Sequence, residues 1–330
     1  MSSLVLSVLD LAPIAPGESA GESIAASVAL AQTAEAHGYR RVWYAEHHNM
    51  PSIASSAPAV MISHIGAKTT SIRLGAGGVM LPNHSPLAIA EQFGTLEAMY
   101  PGRIDLGLGR APGSDEATTY ALRRDPAASA QFPEDVAELR AYFAGQSRVP
   151  GVDAVPGTGL KVPLYVLGSS TFGAHLAAAL GLPYAFASHF APQQLGAAVA
   201  AYRNEFRPSE QLAEPHVIAG VNVVAADTTD AARESFAGVQ RRFATSLFGR
   251  GRTFSEAEVD ILMETAAGQH VRQMQAYAAV GTPTEVRSYL EEFAASTGAD
   301  ELIVAHQALS TEARLRSVQL TAEALQPVGV

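Results

Sequence analysis

The stretch Gly107-Leu108-Gly109-Arg110-Ala111-Pro112-Gly113 sets three glycines around one guanidinium. Glycine lets a main chain approach a ligand closely, and arginine grips an oxyanion with a planar fork of donors. The stretch follows an apolar run, 104–108, which itself follows the turn Pro101-Gly102, so the order is strand, then loop. A phosphate or the edge of a flavin ring suits such a loop. A plain strand-to-helix turn carrying a surface arginine fits the same residues equally well.

Two further segments carry chemistry at strand ends. Glu46-His47-His48-Asn49 follows an apolar run. Successive side chains on a strand point to opposite sides, so one histidine faces one way and its neighbour the other. Adjacent histidines are poor joint metal ligands, and without a His-x-His pair no catalytic metal is expected. A single histidine facing a ligand can act as acid or base, or can be a buried ring bonded to a carbonyl. Glu46 reads as an anchor or as a proton carrier. Ser169-Ser170-Thr171 precedes a helix. Their hydroxyls can cap it, or its free amides can form an anion site. Gly75-Ala76-Gly77-Gly78, before Val79-Met80-Leu81-Pro82, leaves room for a flat ring against backbone or for tight packing under a helix.

Alternating elements must position these segments. Strand-like runs fall at 4–9, 41–45, 72–77, 104–108, 164–167, 184–187, 217–225 and 301–305. Helical patterns fall between them at 21–37, 57–68, 86–100, 134–143, 171–180 and 192–206, with 311–325 closing the chain. Eight short apolar strands, each followed by helix, predict a parallel (β/α)8 TIM barrel, read as one domain over residues 1–330. A doubly wound open sheet is the alternative. Two long stretches, 110–132 after the fourth strand and 248–276 between the seventh and eighth, read as lid or binding loops. In a barrel, Asp10, 46–49, 77–84, 109–110, 169–173, 188–189 and Asn222 gather at the face where strands end.

Composition narrows the class. The chain of 330 residues is 48% hydrophobic and has no cysteine, so disulfides, thiolate metal sites and cysteine nucleophiles are excluded. A net charge of −10 disfavours nucleic acid and anionic membranes as partners. The amino terminus lacks a secretory pattern and no apolar run approaches a membrane span, so a cytoplasmic protein is expected.

Taken together, Glu46-His47-His48, the run from Leu74 to Pro86, the run from Gly102 to Arg110, and Gly281-Thr282-Pro283 resemble the bacterial luciferase-like flavin-dependent monooxygenases. The likeness spans nearly the whole chain and is nearest to a subgroup opening with Leu-Asp-Leu-Ala-Pro, here Leu9 to Pro13. The resemblance implies a barrel that takes FMN as FMNH2 from a separate flavin reductase and uses O2 to oxidise a small organic substrate. It implies His47 as the catalytic histidine, Arg110 as the flavin-binding arginine, and Ser169, Ser170 and the backbone of Gly173 at the phosphate. Ala76, Gly77 and Gly78 would lie against the ring, with a cis peptide between the two glycines. A second phosphate arginine would be Arg123 or Arg124. A homodimer through helices beside the early strands is implied too. Two departures stand out: the reactive cysteine before the arginine is Gly109 here, and a threonine of the phosphate pattern is Gly173. An F420-dependent oxidoreductase on the same fold, a non-catalytic flavin-binding protein and a metal-dependent barrel hydrolase are the competing readings.

Overall fold

The computed structural model describes residues 4–15, 17–111, 115–249 and 252–325. Pro112 and Gly113 of the glycine–arginine loop lie outside the described residues, as do 250–251 of the second long stretch.

The strands are β1 (Leu6–Asp10), β2 (Arg41–Tyr44), β3 (Arg73–Met80), β4 (Ile104–Gly109), β5 (Leu164–Gly168), β6 (Tyr184–Phe186), β7 (Val217–Ala225), β8 (Ala278–Gly281) and β9 (Glu301–His306). Helices α1 (Ala20–Ala36), α2 (Pro58–Gly66), α3 (Pro86–Met99), α4 (Glu116–Ala121), α5 (Phe132–Phe143) and α6 (Thr171–Leu180) come from the first half. The rest are α7 (Leu195–Glu205), α8 (Thr229–Phe248), α9 (Glu256–Glu264), α10 (Ala266–Met274), α11 (Pro283–Thr297) and α12 (Thr311–Leu325). Local chemistry sets several ends. Ser19 and Glu22 form a reciprocal capping box at α1. Pro86 occupies the first turn of α3 behind Ser85, whose side chain caps it. Gly181, at φ 63°, takes the left-handed turn that stops α6.

All strand pairings are parallel, running β1 through β7 in order, with β9 joining β7 to β1 and closing an eight-stranded barrel. The fold is the (β/α)8 barrel that the alternation predicts. One strand was not expected. β8 pairs with Asn222–Ala225 of β7, on the edge that the short β6 leaves free beyond Phe186. Its residues, Ala-Ala-Val-Gly, include one β-branched side chain, too little strand pattern to stand out from the helices around them.

The long stretches are also more ordered than lid loops. Residues 110–132 hold α4 and a 3-10 turn, Pro126–Ala130. Residues 248–276 hold α9 and α10, the first started by a Ser255–Glu258 capping box. Their polar composition hid helices that lie on the outside of the barrel.

Alternate strand residues face opposite layers. Val8, Val42, Leu74 and Leu106 pack outward with the helices, while Leu9, Trp43, Tyr165, Ala185, Ile218 and Ile303 fill the barrel interior. The amino-terminal end of that interior is ionic. Arg41 donates to Asp105 at 2.7 Å, to Glu301 at 2.9 Å and to the Tyr165 hydroxyl at 2.6 Å. Ser7 and His216 bond the same Glu301, and Trp43 and Arg73 bond Asp105. The Arg41 guanidinium also lies over the Trp43 and Tyr165 rings. Burying these charges is tolerable because each is paired and hydrogen-bonded.

Candidate active site at the barrel mouth

The carboxyl ends of β3, β4 and β5 bring the anion-suited segments together. Arg110 is the first residue beyond β4, and its guanidinium carbon lies over the Phe172 ring, 4.0 Å from the centroid. Phe172 is in the first turn of α6. Ser170 stands at the N-cap of α6 with extended backbone, yet its hydroxyl makes no capping bond. The expected hydroxyl cap is therefore not made by Ser170, and the positive end of a ten-residue helix faces the arginine. Ser169 is exposed just ahead of it.

Gly173 shows why the threonine of the luciferase pattern is missing. A Cβ there would lie 3.1 Å from Tyr184 Cε2. The Tyr184 hydroxyl donates to the Ser170 carbonyl at 2.8 Å, fixing the helix start from below. A branched side chain at 173 would push that ring away.

Of the two arginines after the loop, Arg124 approaches the site. Its Nη2 donates to the Arg110 carbonyl at 3.4 Å and also bonds Ser129. Its Nε is buried without a partner. Arg123 takes a left-handed turn, φ 55°, and is exposed.

On β3, the peptide between Gly77 and Gly78 is cis, and the register with β4 shifts between Ala76 and Val79. Both glycines are packed closely. A Cβ on Gly77 would lie 2.9 Å from the Trp43 Cβ, and one on Gly78 would lie 2.9 Å from the Gly107 carbonyl. The Ala76 side chain is fully buried in the outer hydrophobic layer, because strand alternation turns it away from the axis.

His47 and His48 diverge. Alternation from Arg41 and Trp43 carries His47 to the inner side, where its charge is felt by His189. His48 turns outward, and its Nε2 bonds Glu46 Oε1 at 2.9 Å. That carboxylate is an anchor. It also takes His84 Nε2 at 2.9 Å, Asn83 Nδ2 at 3.3 Å and the Met80 N–H at 3.0 Å, stitching the β2 loop to the end of β3. Burial would raise the Glu46 carboxyl, but bonds from His84, His48 and Met80 hold it below the usual carboxylate value. Asp10 also leaves the mouth: it binds Arg314 of α12 at 2.9 Å and the Ala12 N–H at 2.8 Å.

Elsewhere on this face, β7 and the segments after β6 and β9 build a polar wall. Asn222 Nδ2 donates to the His189 carbonyl at 2.6 Å, and Gln307 Nε2 donates to Asn222 Oδ1 at 3.1 Å. The Ser188 hydroxyl donates to the Gly220 carbonyl at 2.5 Å. The His189 ring occupies the space a side chain on Gly220 would need, and its Nδ1 is buried without a partner. Burial, with the charge of His47, lowers His189 to about 4, so its ring is neutral at physiological pH. Among the described residues no three acidic or imidazole side chains converge to hold a metal ion.

Sequence reasoning placed Ser188, His189 and Asn222 at this face but gave them no role, and it missed Phe172, Tyr184 and the His84 bond to Glu46. Phe172 left one signal, a large aromatic directly after Ser-Ser-Thr in a first helical turn. The other contacts join residues far apart in the chain and left none.

These features define a closed (β/α)8-barrel enzyme with an anion-suited mouth. A family model described as luciferase-like monooxygenase matches residues 5–301. A luciferase-like monooxygenase of Escherichia coli (strain K12) is 47% identical over 322 residues, covering 96% of each chain. The crystal structure of apo-MsnO8 is 36% identical with a TM-score of 0.88, covering 97% of this chain and 98% of that one. The chain belongs to the luciferase-like monooxygenase family and is an enzyme of that class. Two structures at lower identity share the fold, each with a TM-score of 0.71. One is the oxygenating constituent of 3,6-diketocamphane monooxygenase in complex with FMN, 17% identical, covering 97% of this chain and 98% of that one. The other is an F420-dependent secondary alcohol dehydrogenase with an F420–acetone adduct, 16% identical, covering 99% and 100%.

Proposed function

We propose that this chain is the cytoplasmic oxygenating component of a two-component monooxygenase: one barrel domain over residues 1–330 that takes FMNH2 from a separate flavin reductase. One observation carries the reading. Arg110 sits over the first turn of α6, whose N-cap hydroxyl leaves the helix amides uncapped. The donors there are N–H groups and a cation, which suit a phosphate dianion.

The residues fit FMN in three ways. Arg110, the α6 amides at Ser170 to Gly173, and Ser169 would hold the phosphate. The Gly77–Gly78 backbone presents no side chain to a flat ring. His47, on the inner side, would hold or move a proton where substrate meets the ring. Bound reduced FMN supplies the electrons that activate O2. The chain binds and orients it, while Trp43 and the ionic floor close the barrel behind it.

Titration of the purified protein with FMN and with F420, each oxidised and chemically reduced, followed by flavin fluorescence and then by O2 consumption above the protein-free rate of the reduced cofactor, tests this. FMN binding with O2-dependent turnover is expected. F420 binding with hydride transfer and no O2 uptake would replace the reading with the deazaflavin one, for which the F420-bound relative of the same fold is the support.

A homodimer is part of the proposal. Val60 and Met99, on α2 and α3, are large apolar residues left 69% and 50% exposed. They flank a groove of about 790 Å³ between those helices. A second copy of the chain is the occupant the family resemblance implies.

A further inference from the structure

We propose that Phe172 is a positioning residue for Arg110: its ring is the platform that holds the guanidinium at the start of α6, ready for the anion. The inference rests on the phosphate-site reading above and deepens it.

Phe172 belongs to neither hydrophobic cluster of the barrel. The buried face of α6 is Gly173, Ala174, Ala177 and Ala178, all small. Phe172 points away from them and is 36% exposed. A large ring left in solvent at a helix start gains little by itself. What it touches is the Arg110 guanidinium, whose carbon lies over the ring at 4.0 Å. A cation held over an aromatic face spends none of its N–H donors on that contact, so the fork stays available to an anion.

Arginine carries roughly 2 kcal/mol of side-chain rotamer entropy, and ordering it on binding weakens affinity unless it is already held. Arg110 is held at both ends. Arg124 bonds its backbone carbonyl at 3.4 Å, and Phe172 holds its head. This chain also lacks the side-chain donor that a threonine at 173 would bring, because Tyr184 fills that space. Firm placement of the remaining arginine compensates for the missing donor.

The test titrates FMN, and separately inorganic phosphate, into wild type and into Phe172→Ala, Phe172→Leu and Phe172→Tyr, with a melting curve for each. Exposed cation–π contacts predict that the Ala and Leu variants bind FMN about 2- to 5-fold more weakly, with Tyr restoring wild-type affinity. Without any ligand, the Arg110 side-chain protons should show a ring-current shift in NMR spectra that disappears in Phe172→Leu. FMN affinity equal to or tighter than wild type in a folded Phe172→Ala overturns the proposal alone; the tighter result would mean the ring withholds the arginine. A wild type that binds neither FMN nor phosphate overturns the phosphate-site reading and this proposal with it.

Discussion

In the proposed reading His47 and Arg110 divide the work of the mouth, and single substitutions should separate them. Arg110→Ala removes a charged hydrogen-bonding partner of the phosphate, so FMN binding should weaken by about 1.5–3 kcal/mol. Isothermal titration measures this, and an unchanged dissociation constant would remove Arg110 from the site. His47→Ala should leave FMN bound while substrate oxidation slows roughly 10²–10⁴-fold, the usual worth of a general acid or base. Loss of FMN affinity without loss of turnover at saturating FMN would show that His47 serves binding instead. The neighbouring histidine obeys a different logic. His48 acts through Glu46, and its loss should be felt in stability first.

At the scale of elements, the carboxylate of Glu46 ties the β2 loop to the end of β3 through four donors. Glu46→Ala would strand those donors in a half-buried pocket and should cost about 2–4 kcal/mol of stability, read from denaturant unfolding. FMN affinity should fall alongside, since Gly77–Gly78 lies beside the tie on β3; normal affinity in the folded variant would show that the tie is local. Element-level order was the most legible part of the sequence. Apolar runs marked the eight barrel strands although Ser7, Arg41, Asp105 and Glu301 interrupt them, because parallel strands buried on both faces are rich in aliphatic residues. The places of Arg110, first after β4, and of Ser170, at the start of α6, were legible as well. What stayed hidden depends on contacts across the chain. Ala76 faces the helices because of strand parity, and the glycine at 173 answers to a tyrosine eleven positions later. β8 was hidden by its composition, two alanines and a glycine around one valine.

For the molecule as a whole, pH reports on burial. Burial and the charge of Arg314 lower His306 to about 3, and burial with His47 lowers His189 to about 4. Both rings are neutral when folded, whereas an unfolded histidine takes a proton near pH 6.5. The unfolded state therefore binds more protons below that value, and stability must fall as pH drops from about 6.5 toward 4. Melting temperature against pH should show this slope, and His306→Gln should flatten it; a level profile from pH 7 to 4 would contradict the buried neutral rings. Assembly belongs to this scale as well. Val60→Asp or Met99→Asp should convert a dimer to monomer in light scattering, and a wild type already monomeric at high concentration would exclude that interface.

The ionic floor has a consequence for traffic. Arg41, Asp105 and Glu301, with Trp43 and Tyr165 stacked against them, leave the barrel no back exit. In the proposed reading flavin, substrate and product would all use the same doorway. A molecule seated near that doorway delays whatever lies deeper, so arrivals and departures fall into a queue. With FMN as the deeper guest, excess substrate should trap it and slow its release, and stopped-flow displacement of bound FMN would reveal the order of the line.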